Sequence, residues 1–333
     1  MTGFAVSATN LGITYGRSHS ATIGLAEATV RFEANGIHGL IGAANTGKSS
    51  LLSLIAGHRL PTTGGVTVDG EAPFENARLT PRTYLVRKQG DLLLDQRLST
   101  NVRLHTSLRQ GFDQHYAYQL LNDFEIDPSQ KMMRIPLAKR RLAAALLGLA
   151  SRAPLTMFDD VVETMTTPVR KQFYDELLRD TVGTPRTFIL AGSSIDESER
   201  MLTSVTLLRN NRVLLSEETA RIRTIGTSIR GPRLAVAEIE NRFAQSRVLS
   251  KTIVGESAEV HILGEIDLET GMRASQLNLE RQPLPLEELV TYLADRRVQL
   301  PPSGPGTPAR GADPTTTEPT RGADAAAAKE TNE

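Results

Sequence analysis

Eight consecutive residues, Gly42-Ala43-Ala44-Asn45-Thr46-Gly47-Lys48-Ser49, have the spacing G-x-x-x-x-G-K-S that suits phosphate chemistry. Gly42 and Gly47 allow the backbone to approach phosphate oxygens, and successive N–H groups of the loop form an anion nest. A helix starting at the end of the loop adds partial positive charge. Lys48 is placed to reach the β- and γ-phosphates, and the Ser49 hydroxyl to hold Mg²⁺. A second group lies about 110 residues downstream, where the apolar run Leu155-Thr156-Met157-Phe158 ends in Asp159. A carboxylate at the end of a buried strand can hold Mg²⁺ directly or through water, so Ser49 and Asp159 are the expected metal ligands.

Both groups need a scaffold, and the chain supplies one. Ile37–Ile41 reads as a strand feeding the loop, and 49–56 as a helix with Leu51, Leu52 and Ile55 on one face and Gly57 as its stop. Residues 140–150 are strongly helical and precede the strand 155–158. Another helix is expected over 170–179, with Phe173, Leu177 and Leu178 inward, and another strand over 187–191. Asn210-Asn211 sits between two apolar runs as a hairpin turn, because Asn tolerates positive φ. Alternation of strands and helices predicts an α/β P-loop NTPase domain over 1–222. From 223 to 298 the expected order is β-α-β-β-α-β with a closing helix, a small α+β domain of ferredoxin-like order. Its last strand is expected at Leu277–Leu279 and its closing helix at Leu286–Leu293. Residues 299–333 are rich in Pro, Gly, Thr and Ala and read as a disordered tail.

Composition narrows the chemistry. The 333 residues hold 38 basic and 38 acidic side chains, so no global field attracts nucleic acid. There are no cysteines, which excludes disulfides, zinc–thiolate sites and thiol nucleophiles. The densest apolar run, 142–150, is far shorter than the ~20 residues of a spanning helix, and the N-terminal residues lack signal-peptide character. The expectation is a cytoplasmic chain without direct membrane insertion, peripheral at the inner face of a membrane through a partner.

From about residue 8 to 219 the chain resembles the nucleotide-binding subunit of an ATP-binding cassette (ABC) transporter. Gly42 to Ser50 matches the Walker A loop of that family, Leu155 to Asp160 matches Walker B, and Asp196-Glu197 follows where an Asp-Glu pair is usual. The resemblance implies that Tyr15 stacks on adenine, that the ligands are ATP and Mg²⁺, and that the partners are a transmembrane permease subunit and a second ABC subunit.

The same resemblance exposes departures. Where the family carries Leu-Ser-Gly-Gly-Gln, this chain reads Ile135-Pro136-Leu137-Ala138-Lys139. Asp160 stands at the catalytic glutamate position, one methylene short, which makes it a weak general base. Ser193 occupies the switch-histidine position. Met165-Thr166 replaces a Leu-Asp pair, and the γ-phosphate-sensing glutamine aligns with Arg87, Gln89 being the nearest glutamine. The implied function is a degenerate ABC subunit that binds Mg-ATP and hydrolyses it weakly or not at all. Two other readings stand beside it: a working ATPase with Asp160 as base, and a regulatory protein on an ABC fold without a transport role.

Overall fold

The computed structural model describes residues 2–16, 21–244, 247–264 and 266–295. The expected tail, 299–333, lies outside the described residues. In chain order the elements are β1 (Val6–Tyr15), β2 (Thr22–Phe32), β3 (Ile37–Ile41), α1 (Lys48–Ile55), β4 (Thr63–Val68), β5 (Thr83–Val86), α2 (Leu98–Leu108), α3 (Gln114–Asp123), α4 (Leu137–Ala150), β6 (Leu155–Asp159) and α5 (Thr167–Gly183). Then come β7 (Thr187–Gly192), β8 (Ser204–Arg209), β9 (Arg212–Glu218), α6 (Thr219–Ile222), β10 (Gly226–Pro232), α7 (Arg233–Glu240), β11 (Val248–Val254), β12 (Ser257–Leu263), α8 (Leu268–Gln276), β13 (Glu280–Pro283) and α9 (Leu286–Asp295).

The central sheet has six strands in the order β5-β6-β7-β3-β8-β9, parallel except for the β8–β9 hairpin. Every residue of β3, β6 and β7 is buried. Continuous burial is expected where helices or a second sheet cover both faces of a parallel sheet. A three-stranded antiparallel sheet, β2-β1-β4, shares one core with α1, to which Phe32, Leu51, Leu52, Ile55 and Met157 belong. Helix α1 is therefore buried on several sides, and the loop before it is held by packing. Gly148 in α4 shows how closely that helix meets the sheet: a Cβ there would lie 2.7 Å from Val86 Cγ2. Asn210 and Asn211 both have positive φ, as the hairpin turn between β8 and β9 requires.

The remaining strands form an antiparallel sheet of order β11-β12-β10-β13. Helix α7 packs on it through Val236 and Ile239, and α8 through Ala274, against Ile229, Val260 and Ile262. Two local expectations need correction. The strand expected at Leu277–Leu279 lies instead at Glu280–Pro283, because Leu277 caps α8 and Asn278 turns with φ 53°. β13 is an exposed edge held by its backbone pairing with β10, so no apolar pattern marks it. In α5, Leu178 faces outward, while Phe173, Tyr174 and Leu177 are buried.

One ion network is deeply buried at the base of the sheet. Arg186 has no exposed surface and donates to the carbonyls of Ala153 and Leu149, each at 2.9 Å, and to Thr156 Oγ1 at 2.8 Å. It also pairs with Asp180, which in turn pairs with Arg152. All three of its nitrogens are thus used, which makes the burial of a guanidinium tolerable.

A titratable side chain in α2 gives the fold an acid limit. His105 lies between the rings of Tyr84 and Phe112, at centroid distances of 5.7 and 5.6 Å. Burial, aided by the nearby Arg109 charge, lowers its pKa to about 4. The unfolded chain protonates this group at about pH 6.5, so between there and pH 4 the unfolded state binds the extra proton. Stability should accordingly fall by up to about 3 kcal/mol as pH drops through that window. Thermal unfolding from pH 7 to 4.5 checks this: His105→Phe should show a shallower loss than wild type, and parallel curves would disprove it.

Candidate functional site

The phosphate loop leaves β3 and enters α1 through alternating backbone signs. Asn45 has φ 63° and Gly47, the residue before the helix, φ 101°. That alternation turns successive N–H groups to one side. Only Gly47 of the two loop glycines needs its conformational freedom. Gly42 serves packing: a Cβ there would sit 2.6 Å from the Leu208 carbonyl oxygen and 2.5 Å from Thr46 Oγ1. Its N–H donates to the Gly192 carbonyl at 3.1 Å, so the expectation that Gly42 opens the backbone to phosphate is revised.

A cleft of about 390 Å³ opens beside the loop, lined by Ala44 through Ser50 and by Tyr15, Lys88, Asp160 and Asn211. That size suits a small-molecule site. Gly42 and Ala43 stand behind this lining, their carbonyls accepting from Lys48 Nζ at 2.7 and 3.2 Å. Thr46 Oγ1 closes the loop on the Ala43 carbonyl at 2.9 Å. Tyr15 donates to Ser50 Oγ at 3.1 Å, and the Arg59 guanidinium lies 5.8 Å from its ring centre.

Ser49 and Asp159, the two expected metal ligands, are neighbours in the fold. Ser49 Oγ donates to Asp159 Oδ1 at 3.0 Å. Two oxygens bound to one Mg²⁺ at right angles, each ~2.0–2.1 Å from the ion, stand about 2.9 Å apart, so the pair fits a shared cation. Two protein oxygens leave the other positions to phosphate and water, the usual division for Mg²⁺. Burial pushes the Asp159 carboxyl up, opposed by the Ser49 hydrogen bond and reinforced by the neighbouring Asp160 charge. A divalent cation would reverse that balance by favouring the ionised form.

Asp160 is buried, with φ 51°, its N–H bonded to the Ala191 carbonyl at 3.2 Å. Its carboxylate lies between two ammonium groups: Lys48 Nζ is 3.5 Å from Oδ1, and Lys88 Nζ is 3.5 Å from Oδ2. Ser193 is exposed, outside the lining of the cleft, and its N–H donates to Glu163 Oε1 at 2.5 Å. Ile135 is buried and Pro136 precedes α4, so the five-residue segment that aligns with the family signature forms a helix start. Lys139 there is engaged with the Glu125 carbonyl at 3.1 Å.

Asn211 and Lys88 line the cleft without belonging to a motif. Asn211, from the β8–β9 turn, donates to the carbonyls of Gly24 at 3.0 Å and Asn45 at 3.3 Å, bracing the loop from across the sheet. Lys88 enters from the segment after β5, whereas Arg87 pairs with Asp91 at 2.9 Å and Gln89 does not line the cleft. The two candidates for the sensing position thus both stand aside for the residue between them. A turn residue and a lysine beside an arginine leave no signal in the sequence.

Comparison with known proteins agrees with this geometry. Residues 25–161 match the ABC transporter family model. The Arabinose import ATP-binding protein AraG 1 of Burkholderia thailandensis is 27% identical over 198 residues, covering 55% of this chain and 39% of its own length. The Ribose import ATP-binding protein RbsA of Chelativorans sp. is 24% identical over 202 residues, covering 58% of this chain and 40% of its own. The chain thus spans about two fifths of the length of these curated relatives. A dimeric ATP-binding cassette in a post-hydrolysis state, bound to ADP and Pi, superposes with a TM-score of 0.58 at 18% identity, over 64% of this chain and 98% of that one. An ATP-binding subunit of an ABC transporter does so with a TM-score of 0.58 at 16% identity, over 66% and 91%. Domains of this kind bind ATP with Mg²⁺. Sheet order, phosphate loop and the likeness to solved structures together identify an α/β P-loop domain of the ABC ATPase fold.

Proposed function

We propose that this chain is the ATP-binding subunit of an ABC transporter, binding Mg-ATP tightly enough to hold it and hydrolysing it slowly or not at all. The observation that carries the reading is the cleft itself, which Lys48, Ser49 and the rest of the loop line together, with Asp159 bonded to Ser49 behind that lining. Slow hydrolysis follows from what lies beside them. Asp160 is one methylene shorter than glutamate and held between two lysines, and Ser193 offers no imidazole. Removing a positioned base typically costs ~10²–10⁴ in rate.

A transmembrane permease and a second ABC subunit are the proposed partners, with the chain at the cytoplasmic face of a membrane. Among the described residues no helix is long and apolar enough to cross a membrane itself. The import function in the names of the sugar-transporter relatives favours an importer. An exposed apolar patch supports a docked partner: Leu94 and Met133 are neighbours, the Met133 N–H bonding the Leu94 carbonyl at 3.0 Å, and both side chains face solvent with Leu93.

The test is to load the chain with Mg²⁺ and labelled ATP, remove free nucleotide, denature the protein and identify what was bound. Intact ATP retained by wild type and absent from Lys48→Ala is the expected outcome. ADP with released phosphate would overturn slow turnover and favour a working ATPase with Asp160 as base. Retention of nothing by wild type would overturn nucleotide binding.

A further inference from the structure

We propose that Lys88 is a phosphate-binding residue of the cleft, which leaves Asp160 for the terminal phosphate of a nucleoside triphosphate and so selects triphosphate over diphosphate. The inference rests on the reading of the cleft as an ATP site and adds a ligand that no motif contains.

Three observations carry it. The first is placement. In the segment after β5 Arg87 is tied to Asp91, and Gly90, with φ 68°, turns back so that its N–H meets the Arg87 carbonyl at 2.7 Å. A Cβ at Gly90 would lie 3.2 Å from that of Ala144, so α4 backs this turn. Lys88 is the member of the segment that reaches the cleft.

The second is the weakness of its present contact. Lys88 Nζ stands 3.5 Å from Asp160 Oδ2, at the outer edge of hydrogen bonding, and its side chain is 49% exposed. Among the described residues no shorter partner holds it. Asp160 Oδ1 is likewise buried without a hydrogen bond, with Lys48 Nζ 3.5 Å away. Two cations thus share one carboxylate that satisfies neither well, and a half-solvated ammonium is easily transferred to a more highly charged acceptor. A phosphate group offers three oxygens and a larger charge.

The third is position along the nucleotide. Tyr15 contacts Ser50, whereas Lys88 contacts Asp160, next to the Ser49–Asp159 pair. Ser49 and Asp159 would hold the magnesium ion of a bound nucleotide, which would offset phosphate charge there, so a lysine beside that pair would face the terminal group. With Lys48 serving the β- and γ-phosphates, Lys88 supplies a second positive charge that a diphosphate cannot engage.

Affinities of wild type, Lys88→Gln and Lys88→Arg for ATP and for ADP, each with Mg²⁺, test this by calorimetric titration. Loss of one charge-assisted hydrogen bond should weaken ATP binding by about 10- to 100-fold in Lys88→Gln. ADP binding should stay within about twofold, and Lys88→Arg should keep most of the preference for ATP, since charge is the active property. Equal weakening of both nucleotides, or an unchanged ATP-to-ADP ratio in Lys88→Gln, overturns the role of Lys88 and leaves the ATP site standing. Wild type that binds neither nucleotide overturns the ATP site and this inference with it. Thermal unfolding of each variant separates a folding defect from a lost contact.

Discussion

Lys48→Ala should weaken ATP binding by about two orders of magnitude or more, with little change in thermal stability. Lys48 is 5% exposed, and its ammonium donates to two carbonyls of its own loop. Those bonds pre-place the charge at the floor of the cleft, so little side-chain entropy is lost when phosphate arrives. Each charge-assisted hydrogen bond to phosphate contributes about 1.5–3 kcal/mol. Two of them correspond to roughly a hundredfold or more in affinity. The fold should tolerate the change, because Lys48 lines the cleft and its removal opens a path by which water can reach the two carbonyls behind it. Titration with labelled ATP and a melting curve check both halves. Wild-type affinity in Lys48→Ala would move the nucleotide to another place.

Asp180→Ala should be the most destabilising single change, at about 3–5 kcal/mol, because it strands Arg186 as a buried, uncompensated cation. Arg186 cannot turn to solvent: its guanidinium is fixed by Ala153, Leu149 and Thr156 and lies against the Phe188 ring at 4.8 Å. Arg152 loses a partner in the same step, although its pairing with Asp113 at 3.2 Å remains. In a chain of this size the expected fall in melting temperature is about 10 °C. Replacing both members, Asp180→Ala with Arg186→Met, should recover much of the loss, since apolar packing can substitute for a buried pair. A single-variant loss below about 1 kcal/mol would mean that water reaches the guanidinium, contrary to its full burial.

These two residues mark the divide between what the amino-acid sequence reveals and what it hides. Lys48 is legible because a phosphate loop must be contiguous: nest, helix start and lysine lie within one short segment, and chemistry dictates their spacing. Asp159 is legible for a related reason, since a buried strand and its terminal acid are also adjacent in the chain. Arg186, between a proline and a threonine, carries no such signature. Its burial depends on carbonyls contributed by α4 and on the following Ala153, together with the carboxylate of α5.

The same logic separates the cleft residues. The type and order of Ser49, Asp159 and the loop residues were sufficient to expect a metal-and-phosphate site, because local backbone geometry follows from local residue types. Lys88 and Asn211 enter the cleft only after β5 pairs with β6 and the β8–β9 turn crosses to Gly24 and Asn45. Gly42 shows the reverse: its motif position was evident, but its reason, the close approach of Leu208, belongs to a strand more than 150 residues away. Strand-by-helix alternation determined the fold class, and the contiguous loop motif the phosphate site. Tertiary structure decided which charges face one another, because such contacts join residues far apart in the chain, and their energy depends on distances and burial that exist only once the sheets have closed over α1.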